Sequence, residues 1–148
     1  MTSHTVHWDA MHSLLNDMKH LIAKREIDSQ SEGWREEQDE LKEVLLALSS
    51  VLGPKLFEKA LMLSGKRDVI TEFRAAQSER SVFKVKGETG EYRVLRAGFC
   101  TCKSFEVDRI PAHLPLCKHI LAVELALVQK TVKVVTVLDS DWAKYAGG

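Results

Sequence analysis

The chain has 148 residues with 21 basic and 21 acidic side chains, so it has no net charge at neutral pH and is not, taken whole, a strongly basic nucleic-acid binder. Apolar residues make up 45% and charged residues 28%, the mixture of a soluble globular protein with enough chain for a real core, in one domain or one domain with a helical extension. No apolar run reaches the roughly 20 residues of a membrane span, and MTSHTVHWDA lacks a signal peptide's basic-then-apolar layout, so a nuclear or cytoplasmic protein without membrane contact is expected.

Residues 1–65 read as a helical N-terminal region. Met11, Leu14, Leu15, Met18, Leu21 and Ile22 recur every three or four residues, an apolar helical stripe from about residue 6 to 25. The polar stretch 28–33 interrupts it. Leu41, Val44, Leu45, Leu48 and Val51 form a second stripe, ended by Gly53-Pro54, and Leu56, Phe57, Ala60, Leu61 and Leu63 a shorter third helix stopped at Gly65. The first stripe is expected to pack on the core, with docking on a partner helix as the alternative.

The periodicity changes over residues 66–131. Residues 81–86 and 91–96 alternate as strands about a hairpin loop at 87–90, residues 69–73 suggest a further strand, and the sheet is expected to continue through 99–105. Pro111 and Pro115 mark an irregular loop, and residues 116–130 are an apolar helix. Residues 132–148 read as a C-terminal tail with a β-branched run, 132–138, and Asp139-Ser140-Asp141 as a cap for a short helix around Trp142. The expected class is α+β: N-terminal helices, a small antiparallel sheet, and a strand–loop–helix unit at 99–130.

Charge is unevenly spread. Residues 1–52 hold ten acids and five bases, giving −5, and residues 53–148 eleven acids and sixteen bases, giving +5. These are either solvated faces or surfaces for separate partners. Lys84, Lys86, Arg93, Arg96, Lys103 and Arg109 lie in and near the hairpin. Alternation puts Lys84 and Lys86 on one strand face with Val82, opposite Phe83 and Val85. Such a basic face can touch DNA phosphates, in a salt-sensitive and sequence-indifferent way, or simply be solvated.

Three cysteines cannot all pair within the chain, which leaves packing or metal. Cys100-Thr101-Cys102 and Cys117-Lys118-His119 are two pairs of ligand residues, each spaced by one. On a strand, residues two apart face the same side, so both thiolates of the first pair aim at one point. The second pair sits where extended chain becomes helix. Three sulfurs and one nitrogen form a closed tetrahedral set for one structural Zn²⁺, with His113 in the loop as the alternative nitrogen. A closed set has no open position for an activated water, so no enzyme is expected.

The pattern Cys-x-Cys, a gap, then Cys-x-His resembles the SWIM zinc finger. The stretch 116–123, Leu-Cys-Lys-His-Ile-Leu-Ala-Val, is similar to the small SWIM-domain proteins of the Shu complex. The likeness is specific over residues 80–125 and looser over 45–80, and it does not extend over 1–40. It implies that Cys100, Cys102, Cys117 and His119 are the four ligands. It also implies that Ala122 is the small residue that follows them, at a partner surface. The function it implies is that of a non-catalytic subunit, partnered with a RecA-like recombinase paralogue, which promotes homologous recombination and DNA repair on single-stranded DNA. The residues alone reach only a zinc-stapled binding module, and an autonomous zinc finger on the DNA backbone is the alternative.

Gly65-Lys66 is not a phosphate loop, because Ala60 and Arg67 stand where Gly and Ser or Thr are needed. His4, His7, His12 and His20 have no metalloprotease spacing and read as exposed helix residues.

Overall fold

Gly53 sets the angle between the second and third helices. Its backbone is left-handed (φ 93°, ψ 132°), which glycine adopts without Cβ strain. Its N–H still donates to the Ser49 carbonyl (2.9 Å), its carbonyl accepts the Phe57 N–H (3.1 Å), and Pro54 opens the next helix. The structure, a computed structural model, describes residues 3–27, 34–87, 90–95, 99–102 and 117–147. Within these, α1 (Ser3–Ile27), α2 (Trp34–Leu52) and α3 (Pro54–Ser64) precede strands β1 (Ile70–Ala75), β2 (Ser81–Lys86), β3 (Glu91–Leu95) and β4 (Phe99–Cys100). Helix α4 (Lys118–Gln129), strand β5 (Lys133–Val137) and helix α5 (Asp139–Tyr145) complete the chain. The α+β class stands. The breaker segment 28–33 and the prolines Pro111 and Pro115 lie outside the described residues.

The strand order is β4-β3-β2-β1-β5, antiparallel except where β5 runs parallel to β1. The sheet is therefore mixed and not purely antiparallel. The segment set apart in the sequence as a tail supplies its edge strand. A parallel neighbour requires a crossover of a dozen or more residues, and α4 lies within that connection.

Register sorts the two faces. Cys100, Val94, Phe83 and Glu72 stand in one row across four strands, beside a second row of Tyr92, Val85 and Ile70. This face packs under α4, whose residues 119–126 are all buried, Glu124 included. Each of its large aliphatic side chains contributes about 1.5–3 kcal/mol on burial. Helices α3 and α1 cover the outer side of α4, and Met11, Leu15 and Met18 enter the shared core with Leu48 and Phe57. Core packing of the first stripe is thus the outcome for these residues. The ends of α3 and α4 are tied through Ser64, whose carbonyl accepts from Thr131 Oγ1 (2.7 Å) and whose Oγ accepts from Gln129 Nε2 (3.1 Å).

The other face carries α5. Phe73 and Val82 are cross-strand partners, and Phe73 stacks on Tyr145 with centroids 4.4 Å apart. Trp142 donates its indole N–H to the Phe73 carbonyl (3.2 Å), and the Arg80 guanidinium lies 4.7 Å from its ring centroid. The expected cap is corrected: Asp139 opens α5 but turns its carboxylate away from that helix. It accepts the backbone N–H groups of Gln77 (2.8 Å) and Ser78 (3.0 Å) at the β1–β2 turn.

Candidate metal centre

Thr101 aims the first pair of thiols. Its N–H donates to the Arg93 carbonyl (3.1 Å), and its Oγ1 accepts the Arg93 N–H (3.0 Å). With Thr101 pinned on the exposed side, its neighbours Cys100 and Cys102 turn inward, and both are buried. Within the described residues β4 ends at Cys100 and Cys102 occupies a bend, so the strand there is shorter than expected. Residues 103–110 lie outside the described residues.

Cys117 precedes α4 in extended conformation (φ −125°, ψ 173°), and its carbonyl accepts the Leu121 N–H (3.1 Å). His119 follows within the first helical turn. The four ligand atoms of Cys100, Cys102, Cys117 and His119 lie within 4.8 Å of one another, and all four residues are buried. Two atoms bound to one zinc at about 2.3 Å are at most about 4.6 Å apart, so this spacing is close to that of a single-ion shell.

Two further observations fit a metal. His119 Nδ1 is the one buried side-chain nitrogen or oxygen among the described residues without a hydrogen-bond partner. Buried polar atoms are nearly always paired, and a bound cation is a partner that protein atoms do not supply. One thiol, that of Cys117, also leans toward ionisation. A hydrogen bond from Cys100 lowers the Cys117 thiol to about 4, while the same bond, with burial, pushes the Cys100 thiol up. A thiolate at a helix start is favoured by the helix dipole, and the thiolate is the form that ligates zinc.

Behind the ligands, the Tyr92 ring stacks on the His119 imidazole, with centroids 4.3 Å apart and planes 29° from parallel. Gly87 makes room for it, since a Cβ there would meet Tyr92 Cε2 at 2.7 Å. Thr101, Tyr92 and Gly87 support the site without being ligands, and they do not stand out in the sequence as site residues. Only the position of Thr101 between two ligands offered a signal.

Fold and cluster together define a zinc-stapled α+β module, in which a closed Cys₃His set joins the end of β4 to the start of α4. Residues 83–128 match the SWIM zinc finger family, so the chain carries a SWIM zinc finger with one structural zinc site at Cys100, Cys102, Cys117 and His119. No curated protein and no solved structure matches the chain. The family match spans β2 to α4 and all four ligands, while α1–α3, β1, β5 and α5 lie beyond it.

Of the basic residues, Lys84, Lys86 and Arg93 share the sheet face that carries α5. Lys84 and Arg93 are directly opposed, and the like charges are relieved separately. Lys84 pairs with Glu91 (2.8 Å), and Arg93 Nε donates to the Tyr145 carbonyl (2.7 Å). Arg96, Lys103, Arg109 and His113 lie outside the described residues. His12 and His20 are exposed on α1.

Ala122 requires correction. It is 0% exposed, within the core on α4, and has no surface to offer a partner. Its small side chain serves packing inside this chain.

Proposed function

We propose that the chain is a non-catalytic subunit of a Shu-like complex that supports a RecA-like recombinase on single-stranded DNA through protein–protein contacts, in homologous recombination and DNA repair. The observation that carries the non-catalytic part is the buried, closed set of four protein ligands, which leaves a zinc ion no position for substrate or activated water. Zinc then acts as a staple, and its binding energy is folding energy. The recombination role is supported by the likeness of residues 80–125 to small Shu-complex proteins, together with the SWIM finger at 83–128. A nuclear location and a heterodimer with an ATP-binding partner follow from the same reading.

Purification of the tagged full chain from native cells, with metal analysis and identification of bound macromolecules, tests it. One zinc per chain and co-purification of a RecA-like ATPase is the expected result. Recovery of nucleic acid with no protein partner would favour an autonomous zinc finger on the DNA backbone through the Lys84–Lys86–Arg93 face.

A further inference from the structure

Helices α1 and α2 leave an open groove of about 460 Å³ between them, lined by residues other than the core residues Met11, Leu15 and Met18. Its floor is apolar: Leu14 and Leu21 from α1, Val44 and Ala47 from α2. The titratable side chains that line it are three carboxylates, Asp17, Glu40 and Glu43, and one histidine, His20. On the flank of α2, Leu46 stands three residues from Glu43 and is 62% exposed. Acids and bases over residues 1–52 number ten and five, so the wider field has the same sign as the rim.

We infer that this groove is a docking site for a basic amphipathic helix of a partner protein. The shape argues for a helix. A site for a small molecule encloses most of its ligand, whereas an open trough between two helices receives the apolar stripe of a third, as helix-in-groove recognition does. The charge argues for a basic one. Lys or Arg side chains flanking an apolar stripe would lie along Asp17, Glu40 and Glu43, while an acidic helix would meet like charge. The site lies in α1 and α2, outside the residues that match the zinc finger, so it gives this chain a second binding surface independent of the metal. The inference goes beyond the zinc-dependent role and stands whichever ATPase, if any, is the partner.

The test uses the zinc-loaded full chain and two fluorescent 18-residue peptides that share a leucine stripe at helical spacing, one flanked by lysines and the other by glutamates. Anisotropy titration is expected to give at least tenfold tighter binding of the lysine peptide. Glu40→Lys with Glu43→Lys, both at exposed positions, is expected to weaken that binding at least tenfold, and Ala47→Trp, which fills the floor without changing charge, to weaken it similarly. Zinc content and circular dichroism of the variants establish that the fold is kept. Equal affinity for the two peptides, or unchanged affinity in the Glu40→Lys/Glu43→Lys variant, overturns the proposal. So does sedimentation showing that the groove is filled by a second copy of the chain, with a dimer that the same two substitutions dissolve.

Discussion

The ring of Tyr92 lies against the imidazole of His119 at a centroid distance of 4.3 Å, joining β3, the second strand of the hairpin, to a zinc ligand on α4. An imidazole that ligates a metal needs its plane fixed, and a stacked aromatic fixes it as an outer-shell hydrogen bond does in other sites. Tyr92→Ala is therefore expected to weaken zinc binding by about ten- to a hundredfold, the range of outer-shell substitutions. Tyr92→Phe keeps the ring and is expected to stay near the parent. Gly87→Ala should follow Tyr92→Ala in direction, because its new Cβ displaces the same ring. Competition against a chromogenic chelator measures all three. Parent-like affinity in Tyr92→Ala would remove the stack from the account of the site.

Loss of a ligand should cost more than affinity. In zinc-finger peptides metal binding supplies about 10–16 kcal/mol at neutral pH, and that energy is spent on folding. Cys117→Ser and His119→Ala are expected to purify with far less than one zinc per chain, and to lose protection of the β4 and α4 amides in hydrogen exchange. Chelation of the parent protein should reproduce that pattern. A variant with full zinc and an unchanged melting profile would show that the ligand set is drawn wrongly.

The ligands were legible in the sequence because each pair is local. Cys100 with Cys102 and Cys117 with His119 advertise a shared target through spacing alone, whatever the loop between them does. The hairpin and the helix stripes were legible for the same reason, since their periods are properties of contiguous residues. What escaped was long-range. Tyr92 and His119 are brought together only by the packing of α4 on β3, and nothing near residue 92 signals it. Strand β5 looked like a tail because its β-branched run gives no hint of its partner, which is β1, about 60 residues earlier and parallel. Asp139 looked like a helix cap because caps are usually local, yet its acceptors serve N–H groups 61 and 62 residues away. The expectation of Ala122 at a partner surface rests on the resemblance alone, and no local pattern says what packs against that side of the helix. Here α1, α3 and the sheet already cover it.

That burial makes a prediction of its own. Ala122 sits at 0% exposure, one turn beyond His119, where added volume has no free space to enter. Ala122→Leu is expected to destabilise the fold by about 1–3 kcal/mol through overpacking. Zinc stoichiometry at saturating metal should remain at one per chain, because no ligand atom is removed. Denaturant unfolding with parallel metal analysis separates the two effects. An Ala122→Leu protein as stable as the parent, but unable to hold a partner, would return this position to an interface role.

Asp139 offers a pH-dependent test on the opposite face of the sheet from the metal. The Gln77 N–H and then the Ser78 hydroxyl, with the Ser78 N–H and the nearby Arg80 charge adding to them, hold its carboxyl below the usual carboxylate range. A folded-state pKa below the unfolded value means that the native protein binds a proton less readily than the unfolded chain. The stabilisation is then fully present above the unfolded value of about 3.9, and it is lost as pH falls through the lower folded value. Asp139→Asn cannot reproduce it, since an amide offers one acceptor oxygen where the carboxylate offers two to the turn at residues 77 and 78. The variant is expected to melt below the parent at pH 7, and the gap should narrow as pH is lowered from about 4 through the folded value. Loss of zinc in acid affects both proteins alike and drops out of the comparison. A gap of the same size at every pH would mean that the carboxylate's charge contributes nothing to anchoring β5 and α5 against the β1–β2 turn.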